Sequence, residues 1–78
     1  MSAAEAQEVK NLLLQSDETY RQLASRHHEL DTRLHELHEK HYLSTSEQFE
    51  EVTLKKRKLA LKDQMEQIAR QYRNNRAS

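Results

Sequence analysis

The sequence predicts an all-α fold, an antiparallel two-helix hairpin of coiled-coil type, and three observations predict it. One helix face reads Ala6, Val9, Leu13, Ser16, Tyr20, Leu23, His27, Leu30, Leu34, Leu37 and His41, with spacings of three and four in alternation. A second seam reads Leu54, Lys58, Leu61, Met65, Ile68 and Tyr72 with the same alternation. The 78 residues include no Gly and no Pro, so the usual helix breakers are missing. The 3-4 alternation is the mark of knobs-into-holes packing. Folding the chain at Leu43 brings the seams together, with Leu34 facing Leu54, His27 facing Leu61, Leu23 facing Met65 and Tyr20 facing Ile68.

The first helix is expected from about residue 4 to 41, roughly 57 Å if straight. Ser16 and Asp17 interrupt its seam with two residues that favour N-caps. Two readings stay open there: a tolerated polar layer on the one hand, a kink or a separate short N-terminal helix on the other. The turn is expected at 42–45. Ser44 and Glu47 fit a capping box, in which the Ser44 hydroxyl accepts from the Glu47 amide and the Glu47 side chain reaches back. Leu43 stands at N′, placed for a hydrophobic staple against Gln48 or Phe49. The second helix is expected from about 45 to 73, followed by a frayed tail at 74–78. Glu47, Glu50 and Glu51 near its start and Arg70, Arg73 and Arg76 near its end suit the helix dipole. Residues 1–78 then form a single domain.

Flanking charges support this register. They place Asp31 near Lys55 and Lys40 near Glu50, but also Arg33 near Arg57, a repulsive pair. Two layers are imperfect. Lys58 opposite Leu30 can lay its methylenes on the leucine and keep its ammonium in water. Glu51 opposite Leu37 has no such solution, so that end of the seam is expected to splay.

Composition excludes several function classes. Charged residues are 33% of the chain, a level at which disorder competes with folding, but a disordered chain has no reason to keep a heptad period. Absence of Cys removes disulfides and thiolate metal sites. No apolar run approaches 18 residues, so no membrane span is expected. Residues 1–8 carry acids and no basic stretch, so no secretory signal is expected and a cytoplasmic location is. Net charge is zero, yet residues 1–43 hold five basic and eight acidic side chains and residues 44–78 hold eight and five, giving −3 and +3. Two docking helices would show that split. It argues against one strongly basic surface for nucleic acid.

The second helix also carries an opposed apolar face, Phe49, Val52 and Leu59, and the first carries Leu12 and Leu14 where it would overhang its partner. Paired apolar patches usually mark contacts. With a core only one interface thick, they predict a homo-oligomer.

The segment Arg26-His27-His28-Glu29-Leu30-Asp31, then Leu43-Ser44 with Glu47, then LKKRKLALKDQM over residues 54–65, resembles the YdcH-like family of small bacterial proteins with no assigned function. The resemblance covers roughly residues 20 to 68, and LKKRKLALKDQM is its specific part. Family members often place a Pro near the position of Ser16 and Asp17, a departure that leaves the kink undecided. The resemblance implies a bacterial, cytoplasmic helical hairpin and supplies no catalytic or ligand-binding residue.

Candidate chemistry is thin. Five histidines lie between His27 and His41, and Asp31, His35 and His38 share a face at a spacing that can hold zinc. Their spread around the helix favours solvated or packed histidines, and no metal or other cofactor is assigned. The run Lys55, Lys56, Arg57 and Lys58 points around most of the helix circumference, which favours a solvated surface over a single basic stripe. No Gly-rich loop or enclosed pocket is expected, so neither catalysis nor a small-molecule substrate is. The function expected is a small non-catalytic interaction or structural module with an unidentified protein partner. The alternative is weak, salt-sensitive nucleic-acid binding through Lys55, Lys56, Arg57, Lys58, Arg70, Arg73 and Arg76.

Overall fold

The computed structural model describes residues 2–77. The described residues form three helices rather than two: α1 (Ala3–Ser16), α2 (Glu18–His38) and α3 (Thr45–Ala77). Of the two readings at Ser16 and Asp17, the separate N-terminal helix is the one adopted. The Ser16 hydroxyl donates to the Leu12 carbonyl at 2.7 Å, and Asp17 leaves the helix with extended backbone, φ −119° and ψ 112°. The Asp17 amide still donates to the Leu13 carbonyl at 2.8 Å, while its Oδ1 accepts from the Tyr20 amide at 2.7 Å. One residue therefore terminates α1 and N-caps α2. Ser2 caps α1 in the same way, accepting from the Glu5 amide at 3.2 Å.

The break lets α1 fold back instead of overhanging. Val9 and Leu13 of α1 are buried with Tyr20 of α2, and Leu14, Met65, Ile68, Ala69 and Tyr72 pack around them. Leu14, expected on an outward face, is thus half-buried against this cluster, and Leu12 is also half-buried. At 1.5 Å per residue α3 spans about 50 Å, matching the 51 Å long axis of the molecule. α3 is thus the spine on which the two shorter helices lie.

At the other end α2 stops at His38, three residues before the expected boundary. Glu39 caps it in the right-handed region, with its amide donating to the His35 carbonyl at 3.1 Å. No described residue has positive φ, so the reversal over residues 39–44 is made without a left-handed residue. The Ser44 and Glu47 capping box then opens α3: the Glu47 amide donates to Ser44 Oγ at 3.2 Å and the Ser44 amide to Glu47 Oε1 at 3.0 Å. Phe49, an expected partner for a staple, stays 75% exposed. Leu43 packs instead on the cluster of Leu34, Leu37 and Leu54, with Leu30 beside it. α3 continues to Ala77, beyond the expected end at 73, so residues 74–77 are helical.

That second cluster corrects the expected splaying. Leu37 is 0% exposed, the most deeply buried side chain among the described residues. Glu51 does not oppose it, because the glutamate turns aside to His38 Nε2 at 3.1 Å. Leucine from α2 and α3 closes the layer from which the carboxylate has swung out. The described core contains no buried polar or charged side chain.

Truncation should separate the buried seam from the outer face. Leu37→Ala is expected to cost about 2–5 kcal/mol, and Asp17→Ala about 1 kcal/mol through loss of the cap. Leu59→Ala should stay within about 0.5 kcal/mol in dilute solution. Urea unfolding followed by circular dichroism measures all three; equal losses at Leu37 and Leu59 would contradict this packing.

Candidate functional site

Three surfaces carry the candidate residues: the seam, the outer face of α3, and the basic residues along α3. In the seam Tyr20, Leu23, Leu34 and Leu54 are buried, while His27, Leu30, Leu61, Met65 and Ile68 are half-buried. The burial of Tyr20 raises the pKa of its phenol. His27 is only partly covered, and its Nδ1 lies 3.9 Å from an Asp31 carboxylate oxygen.

Ion pairs across the helices run antiparallel but sit about one turn from the expected positions. Asp31 pairs with Lys58 rather than Lys55, and Lys40 with Glu47 rather than Glu50. Lys58 therefore does not simply leave its ammonium in water. Arg33 is not beside Arg57. Its Nε and an Nη donate to the two oxygens of Glu50, each at 2.9 Å, and the guanidinium also reaches Glu36 at 3.1 Å. Lys55 lies 3.8 Å from Glu51 on its own helix. A long flexible side chain can choose a carboxylate one turn away, so a residue-level register does not fix its partner.

These contacts set the charge states. The Glu47 carboxyl is held down to about 2, first by Lys40, then by hydrogen bonds from the backbone and hydroxyl of Ser44. Arg33 lowers Glu50 and Lys58 lowers Asp31, each mainly through its hydrogen bond. The Arg33 guanidinium is correspondingly raised by Glu50 and Glu36. All of these groups are near the surface, where such pairs stabilise only modestly.

The outer face of α3 is open. Phe49 is 75% exposed, Val52 52% and Leu59 61%, and Tyr42 just before the helix is 91% exposed. Leu12 and Leu14 lie on α1 and are half-buried, Leu14 against the core cluster.

The basic residues divide between different sides. Lys55 and Lys58 border a groove with His28, His35 and His38, whereas Arg57 lines a separate groove with Arg26, Glu29, Leu30, Ala60 and Leu61. Lys56 is exposed on neither groove's lining. Arg70 and Arg73 line a third groove together with Lys58; the side chain of Arg76 lies outside the described residues.

His35 Nε2 faces Glu39 at 3.0 Å and His38 faces Glu51, each a different carboxylate. Among the described residues no group of three His, Cys, Asp or Glu side chains is placed to hold a metal ion. No helix among them is long and apolar enough to cross a membrane.

Sequence reasoning missed the groove between α1 and α3, because nothing in the heptads announces that α1 folds back. The bare Asp17 cap was the one available signal.

A family model described as a protein of unknown function, DUF465, matches residues 21–69. The YdcH-like proteins belong to this family, and the match includes the LKKRKLALKDQM stretch. No curated protein and no solved structure matches the chain.

The depressed carboxylates fix a direction for pH dependence. Their folded pKa values lie below the unfolded ones, so the stability they contribute is present above the unfolded values. As pH falls the unfolded chain takes up the protons first, and that stability is lost on the way down to the folded values. For Glu47 the window runs from the ordinary 4.5 down to about 2. Thermal midpoints should be level from neutral pH to about pH 5 as far as these carboxylates are concerned, then fall. Glu47→Gln should shrink the fall; an unchanged acid limb in that variant would refute the assignment.

Proposed function

The chain belongs to the DUF465 family, and from that premise we propose that it is a small non-catalytic helical interaction module that associates with a second copy of itself through the outer face of α3. We place it in the bacterial cytoplasm, as its likeness to YdcH-like proteins suggests. The observation that carries the reading is the exposure of Phe49, Val52 and Leu59 on one strip of a helix whose other face is already committed to the core. Scattered apolar residues are ordinary on a surface, but a strip at helical spacing is a contact surface in waiting.

The occupant follows from the spacing. Thr45, Phe49, Val52, Lys56 and Leu59 repeat the alternation of four and three, a second heptad seam on α3. Antiparallel pairing with a second α3 puts Phe49 against Leu59 of the second copy and Val52 against the methylenes of Lys56. The arrangement is self-complementary, as two-fold symmetry requires. Together with the seam facing α2, it gives a coiled-coil-like assembly with α3 at its centre. The polar groups that catalysis would need are scattered in exposed ion pairs, which supports a binding role over a chemical one.

Sedimentation of the full chain at micromolar concentration should show a species larger than a monomer. Phe49→Ser combined with Leu59→Ser should return it to monomer while circular dichroism keeps its helical signal. A clean monomer of the unaltered chain at the highest soluble concentration would remove the proposal.

A further inference from the structure

Folding α1 back over α3 creates a groove of about 680 Å³ that the self-association reading does not use. Its floor is apolar, with Ala6, Val9, Met65 and Ala69 over the edge of Tyr20. Its rim is basic: Lys10 from α1, and Lys58, Lys62, Arg70 and Arg73 from α3, with Glu66 the one carboxylate in the lining. Lys58 is already held by Asp31. Lys10, Lys62 and Arg70 make no ion pair with any described residue, as is also true of Arg26, Lys56 and Arg57 elsewhere on the surface, so what sets the three apart is their convergence on one apolar-floored groove. The helix between Lys58 and Arg73 is about 22 Å long, the length of a four-turn helix.

We infer that this groove is a docking site for an acidic amphipathic helix of a partner protein. Apolar side chains of such a helix would settle on Val9, Met65 and Ala69, and carboxylates along its flanks would reach Lys10 on one rim and Lys62 and Arg70 on the other. Helix-in-groove recognition uses this division, with apolar anchors for affinity and charges for orientation. A nucleic acid fits the same surface less well. It would bring phosphates past Glu66, and of the two aromatic rings among the described lining residues Tyr20 is 4% exposed and the His27 side chain 24%, which leaves no open stacking platform. The inference rests on the reading of the chain as an interaction module but involves a different face from Phe49, Val52 and Leu59.

The test uses the full chain and a fluorescein-labelled peptide of about 18 residues, with leucines on one helical face and glutamates on both flanks. Fluorescence anisotropy should show saturable binding. Lys62→Glu combined with Arg70→Glu should weaken it by about tenfold or more, and Phe49→Ser with Leu59→Ser should leave it unchanged. Both altered positions in the first pair are exposed, and circular dichroism checks that helicity is kept. A scrambled peptide of the same composition that binds equally well would overturn the inference, since it would reduce the site to charge alone. So would tighter binding of a single-stranded oligonucleotide that is lost in the same charge-reversed variant. Loss of peptide binding on Phe49→Ser with Leu59→Ser would also overturn it, placing the peptide on the outer face. Monomeric behaviour with intact peptide binding would refute only self-association.

Discussion

The packing of Leu34 and Leu37 on Leu54, with Leu43 laid across the turn, is the contact on which the rest depends. It lies where α2 hands over to α3, so it sets the register for every layer beyond. A chain with this much charge has few apolar side chains to spend on a core, and a two-helix contact buries each of them on one side only. Leu37 escapes that limit because the turn closes over it. The Arg33 and Glu50 fork and the Lys58 and Asp31 pair then fall into place as consequences of the register. Each is exposed enough that water competes for it, so these pairs refine the alignment that the leucines impose.

Asp17 is the second determinant. A helix that continued straight through this point would carry Val9 and Leu13 past the end of α3 into water. Asp17 accepts from the Tyr20 amide, so the next helix can start afresh in a new direction at small cost. The fold-back buries Val9 and Leu13 against Tyr20 and turns one end of the molecule into a three-helix cluster. The same movement lays Lys10 across from Lys62 and Arg70, so the basic-rimmed groove is a product of the break.

α3 thereby divides its surface three ways. Its inner face packs on α2, one flank meets α1, and its outer strip is left to solvent. A small helical protein that divides one long helix in this way has more surface for partners than its length suggests.

The sequence by itself determined the all-helical class, the antiparallel approach of its two longest seams and the capping box at Ser44 and Glu47. These depend on periodicity and on contacts three residues apart, which a linear chain displays directly. It also marked Phe49, Val52 and Leu59 as lying away from the inner seam, since angular position on a helix follows from residue number. Tertiary structure alone decided which reading of Ser16 and Asp17 holds, because both leave the heptads intact and only burial of Val9 and Leu13 favours the fold-back. It decided the ion-pair partners as well: Arg33, Lys40 and Lys58 are long enough to reach carboxylates a turn apart. It settled the layer at Leu37, where pattern reading set Glu51 against a leucine and the folded chain swings that carboxylate out to His38. Local rules fix what each helix is; the direction of a chain after a break, and the carboxylate that a flexible cation selects, depend on groups remote in sequence.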